Sequence, residues 1–139
     1  MIDHYSLSLA ALLLMLATMM VQTLVATLAH RKQSHYVPGI VDDALSHDSF
    51  VFRSHRTYQN SLENVPLMAL SLLAAMAVGL EPLTLGIIAW VFALARILHM
   101  ALYYAIATER NPSPRSYFFL IGLVSNLVLL VLIALALMS

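Results

Sequence analysis

A cation, an amide and a carboxylate enter an apolar segment together in "RTYQNSLENVPLMALSLLAAMAVGL": Arg56, Asn60 and Glu63. Their spacing of i, i+4 and i+7 places them on one face of a helix, and Arg53, three residues earlier, extends the stripe. Gln59 lies at its edge. A second stripe follows in "ARILHMALYY", where Arg96, His99 and Tyr103 again share a face. Arg96 lies well inside its apolar run, and an arginine at the centre of a membrane helix costs at least ~2.5–3.5 kcal/mol. Glu63, at a similar distance from the short turn that joins the two runs, is the expected partner. Such a pair can be a plain structural bridge. That reading leaves Arg56, Asn60, His99 and Tyr103 without a purpose, and ionisable groups inside a membrane are functional by default.

The inventory also indicates a ligand. The surplus is cationic: Arg31, Arg53, Arg56, Arg96 and Arg115 face Glu63 and a few connecting-segment carboxylates. Arginine forks match carboxylates. A buried glutamate suits an ammonium group, and Asn60 and Gln59 suit peptide groups. A small, net-anionic, zwitterionic, peptide-like molecule fits this set.

The elements that must position these residues are membrane helices. Of the 139 residues, 61% are hydrophobic and 10% are charged, against about 25% charged in a typical soluble domain. Mean hydropathy is +0.86. Four segments of roughly 20 residues or more can each cross about 30 Å of hydrocarbon. Spanning backbone must bond to itself, so helices are expected, and the alternation of a barrel strand is absent. We therefore expect an all-α integral membrane four-helix bundle as one domain over 1–139, with helices at about 5–30, 50–80, 82–107 and 116–138. The first segment reads as a retained helix, because it lacks the cationic head and small-residue cleavage site of a signal peptide.

Arg31, Lys32, Arg53, Arg56, Arg110 and Arg115 all fall in or beside the first and third connections, and the second connection has no basic residue. The first and third connections should then be cytoplasmic, with both termini on the opposite side. Zero net charge gives no footprint for nucleic acid. The absence of cysteine excludes disulfides, thiolate metal sites and cysteine nucleophiles.

Three motifs carry a resemblance. Arg56-x-x-x-Asn60-x-x-Glu63-Asn64-x-Pro66 and Ala95-Arg96-x-x-His99-x-x-x-Tyr103 resemble the second- and third-helix signatures of the MAPEG family, membrane-associated proteins in eicosanoid and glutathione metabolism. Arg115-Ser116, at the mouth of the fourth helix, matches a third position. The chain is similar to bacterial-type members over nearly its whole length. The resemblance implies a homotrimer with sites between subunits, glutathione as substrate or cofactor, and transferase or peroxidase chemistry on a lipophilic small molecule taken from the membrane lipid. Carried over, Arg53, Arg56, Asn60, Glu63, Arg96, His99 and Tyr103 would hold or line the ligand, and Arg31 would reach a neighbour's. Arg115 and Ser116 would be catalytic, stabilising the thiolate as cation and hydroxyl donor. Two positions depart from the pattern: Tyr58 stands where the family often has histidine, and Phe119 where many members have a tyrosine.

Other signals have plainer readings. Asp42, Asp43, His47 and Asp48 could suggest a metal, but a solvated connection is the simpler account; either Asp42 or Asp43 could also pair with Arg115. His55 and His99 are read as non-haem residues. Pro66 should kink the second helix. The leading reading is an enzyme. One alternative is a non-catalytic ligand-binding protein of the same fold. Another is a small transporter or channel subunit that uses Arg96 and Glu63 as a relay.

Overall fold

A computed structural model describes residues 3–138. It is all-helical: α1 Ser6–Arg31, α2 Phe50–Ala77, α3 Pro82–Ala105 and α4 Pro114–Met138. At 1.5 Å per residue each helix is at least about 36 Å long, enough to cross a bilayer. Three of them, α1, α3 and α4, are also apolar enough to span, whereas α2 falls short of that measure. The reason is its first half, which holds Arg53, Arg56 and Glu63 before the apolar half begins.

The outward surface fits a lipid environment. Leu13, Leu24, Leu70, Leu127 and Leu135 are all exposed, an arrangement that water would penalise and hydrocarbon would not. Helices α2 and α3 form the centre: α1 packs on both, α4 packs on both, and α1 and α4 make no contact among the described residues. Phe92, Met68, Leu72, Leu85 and Leu129 are the large apolar side chains sealed between them.

The α2–α3 turn fixes the relative depth of the two polar stripes. Gly79 takes φ 74° after α2, a conformation glycine adopts without a Cβ penalty. Its N–H donates to Met76 O, and the Leu80 N–H donates to Ala75 O, the paired bonds of a Schellman stop. Glu81 then caps α3 by accepting from the Leu83 and Thr84 N–H groups, with Pro82 at the first helical position. Glu63 and Arg96 consequently lie fourteen residues from Ala77 and Pro82 respectively, at matched depth.

The start of α1 is tied to the same end of the bundle. The Tyr5 hydroxyl donates to Leu80 O at 2.9 Å, and Trp90 Nε1 donates to Leu7 O at 3.0 Å. Gly86 allows this approach, because a Cβ built there would lie 2.5 Å from Leu7 Cδ2. Gly86→Ala should cost about 1 kcal/mol net. Leu7 Cγ and Cβ, at 2.9 and 3.1 Å, crowd the new Cβ as well as the tip, and the better helix propensity of alanine offsets part of that overpacking. Unfolding of the detergent-solubilised protein would measure it. Adding Leu7→Ala should recover most of the loss, and no recovery would mean that the close contact is not the cause.

Candidate functional site

The two stripes meet through Arg96. Its Nη2 donates to Asn60 Oδ1 at 2.6 Å and to Ser61 Oγ at 3.3 Å. Arg96 is only 3% exposed, His99 3% and Tyr103 7%. The expected ion pair with Glu63 does not form: Glu63 has no hydrogen bond or ion pair to Arg96 among the described residues. Depth is matched, but direction around the helix is not. The buried line of α2 runs through Ser54, Thr57, Ser61, Val65, Met68 and Leu72. At about 100° per residue, Arg53 and Asn60 stand about 80–100° from that line, and Arg56 and Glu63 about 140–160°. The first two reach inward. Arg56 and Glu63 are exposed on the outside of the protomer.

Behind Arg96, toward the third connection, lies an aromatic and cationic cluster. The Arg115 guanidinium lies over the Tyr103 ring, 4.1 Å from its centroid, within cation–π range. Arg115 Nη2 also donates to Thr108 O at 3.1 Å. The His99 ring meets Tyr103 edge-on at 5.6 Å. Arg53 does not point into this cluster. Its Nη1 donates to His47 O at 2.7 Å and to Asp48 O at 2.9 Å, and its Nη2 reaches Tyr104 O at 3.4 Å. It therefore holds the first connection against the end of α3. Asp42 and Asp43, considered as partners of Arg115, are exposed; Asp42 Oδ1 instead accepts from the Ala44 N–H.

Ser116 is engaged at the start of α4. Its Oγ accepts from the Ser113 N–H at 3.1 Å and lies 3.2 Å from Ser113 Oγ. This is half of a capping box, with Pro114 at the first helical position. Phe119 is half-buried and Tyr117 is exposed. Arg31 belongs to a different place. It lines a cavity of about 350 Å³ between the ends of α1 and α2, with Thr27, Tyr36, His55, Tyr58 and Gln59. Within one protomer, the Arg31 cavity thus lies apart, while Asn60 stands between the Arg96–Arg115 cluster and the outward Arg56–Glu63 face.

The MAPEG family model matches residues 7–135. The chain belongs to the MAPEG family. No curated protein matches it, and no solved structure does.

In this MAPEG protein, two residues near the site carry signals that the motif spacing does not expose. Ser61 shares Arg96 with Asn60, and its place among hydroxyls at 54, 57 and 61 is a periodic clue to the buried face of α2. His47 is the other. Its Nδ1 lies 3.5 Å from the Tyr103 hydroxyl and its ring packs edge-on against Phe52 at 4.9 Å. Burial and the nearby Arg115 guanidinium hold its imidazole below the ordinary histidine range. No periodicity marks it, because it lies in a connection. Pro66 lies within α2 without ending it, and the Asn64 side chain bonds back to Asn60 O at 2.7 Å.

Proposed function

We propose that this MAPEG protein is a membrane-bound, glutathione-dependent transferase or peroxidase acting on lipophilic substrates. Its site lies between subunits of a homotrimer, in the cytoplasmic leaflet, with the first and third connections on the cytoplasmic side. The observation that carries this reading is the outward direction of Arg56 and Glu63. Both leave the protomer on the face where Leu67 and Leu70 are exposed. Ions in hydrocarbon must be covered. A second subunit together with a zwitterionic ligand would cover them, and would bring another protomer's Arg31 cavity to the same place.

The donor set suits glutathione. Arg56 offers a fork to a carboxylate, Glu63 an acceptor to the ammonium, and Asn60 an amide beside them. Arg96, His99 and Tyr103 form the wall behind, with unpartnered buried nitrogens at Arg96 Nε and His99 Nδ1. Arg115 supplies a cation for the sulfur. A thiol has an ordinary pKa near 8.5, and its thiolate is the nucleophile. The proton passes to water, the sulfur lone pair forms the new bond to an electrophilic carbon, and the leaving group departs with its electron pair.

A second reading, a holder of glutathione without activation, is favoured by the bonds of Ser116 to the Ser113 cap and by the missing hydroxyl at Phe119. Thiolate ultraviolet absorbance of the detergent-purified protein with glutathione separates the two. We expect a saturable thiolate signal near neutral pH. Arg115→Ala should keep binding and raise the bound thiol pKa by about one unit, or ~1.4 kcal/mol. Binding without thiolate would favour the holder. No binding at millimolar glutathione would remove the glutathione reading.

A further inference from the structure

We propose that His47 is a proton-controlled tie that holds the first connection over the Tyr103–Arg115 pair and so governs entry to the site from that side. The effect on entry rests on the glutathione reading above; the tie itself does not.

The segment 41–49 has few holds on the bundle. Its own bonds are short-range: the Leu45 N–H to Asp42 O, the Ser49 N–H to Ser46 O, and Ser46 Oγ to Asp48 Oδ1. Arg53 fixes the His47 and Asp48 carbonyls from the adjoining helix. Among the described residues, the His47–Tyr103 contact is the one hydrogen-bonding approach from this segment to α3. At 3.5 Å it lies at the outer limit of such a bond. The rings add to it, with centroids 5.7 Å apart and tilted by 30°. Tyr103 is thereby held between Arg115, His99 and His47.

Charge makes this hold depend on protons. Hydrogen bonding alone would not, since an imidazolium can donate to the same tyrosine oxygen. Tyr103 of α3 touches His47, with His99 on the far side of Tyr103, and the charges around it are Arg115 from α4, Arg53 and Arg56 from α2, and Glu109 from the third connection. Three cations oppose one carboxylate, and Asp48, the chain neighbour, is turned toward Ser46. A proton on His47 adds a positive charge next to the Arg115–Tyr103 pair, with Arg53 and Arg56 repelling it from farther off. The tied state therefore binds the proton less well than the released state. By linkage the tie is strongest above the ordinary histidine value of 6.5 and is lost as pH falls below it.

Hydrogen–deuterium exchange of the full chain in detergent tests this without any ligand. Exchange across 41–53 would be followed from pH 8 to pH 5 and corrected for intrinsic rates. We expect protection to fall severalfold on acidification in the wild type, with no such fall in His47→Gln, whose neutral amide can still meet Tyr103. Tyr103→Phe should weaken protection already at pH 8. Equal protection of the wild type at both pH values would overturn the proposal, as would an acid-induced fall that persists in His47→Gln. Glutathione binding is scored separately. A pH-dependent tie without glutathione binding sinks the ligand reading alone, and binding with a pH-independent segment sinks the tie alone.

Discussion

Arg96→Ala should destabilise the detergent-solubilised protein by roughly 2–4 kcal/mol, the largest effect on folding expected from a single site chain. The argument begins with burial. Arg96 is nearly sealed between α2, α3 and α4, with Cδ 3.7 Å from the position a Cβ would take at Gly122. Truncation leaves a cavity the size of the side chain. It also strands Asn60 Oδ1 and Ser61 Oγ, both of which accept from Nη2. Arg96→Lys should recover only part of the loss, because the lysine side chain is one bond shorter and its ammonium falls short of the Nη2 position that meets Asn60 and Ser61. The decisive measurement is a double-mutant cycle with Asn60→Ala, read by equilibrium unfolding. A coupling of about 1–3 kcal/mol is expected for two groups in one hydrogen-bonded network. Strict additivity would show that the Arg96–Asn60 bond carries no weight.

The contrast between Asn60 and Glu63 also shows how far the sequence could be read. Four helices were legible because bilayer thickness forces long apolar runs and because Gly79, Glu81 and Pro82 punctuate the chain. The depth match of Glu63 and Arg96 was legible for the same reason, since a short turn makes depth a matter of counting. Direction around the helix was not. A stripe at 53, 56, 60 and 63 spans about 80° of helix surface, and spacing alone does not say which edge of it turns inward. The small hydroxyls at 54, 57 and 61 decide that, because they let α2 sit close against its neighbours. The stacking of Arg115 on Tyr103 and the placement of His47 depend on how two connections fold back, and no periodic pattern records that.

Glu63 carries the second large effect, this one on binding. In one protomer its carboxylate stands near the middle of α2, on the side of Leu67 and Leu70, which are 44% and 68% exposed. A carboxylate left against lipid would be a liability with no return, and leucine there would be an improvement. If Glu63 instead accepts from the ammonium of glutathione, Glu63→Gln removes a charge-assisted bond of about 1.5–3 kcal/mol, or roughly 10- to 100-fold in Kd. Calorimetric titration of glutathione into the purified variant would read it, with Arg56→Ala expected to lose a similar amount at the carboxylate end. Glu63→Leu sharpens the test, because burial against lipid and burial against ligand pull its stability and its affinity in different directions. A variant that is more stable and binds glutathione as well as the wild type would strip Glu63 of any role in the site. Lost affinity with unchanged oligomeric state and folding would place the ligand, rather than subunit packing, on the outward face of α2.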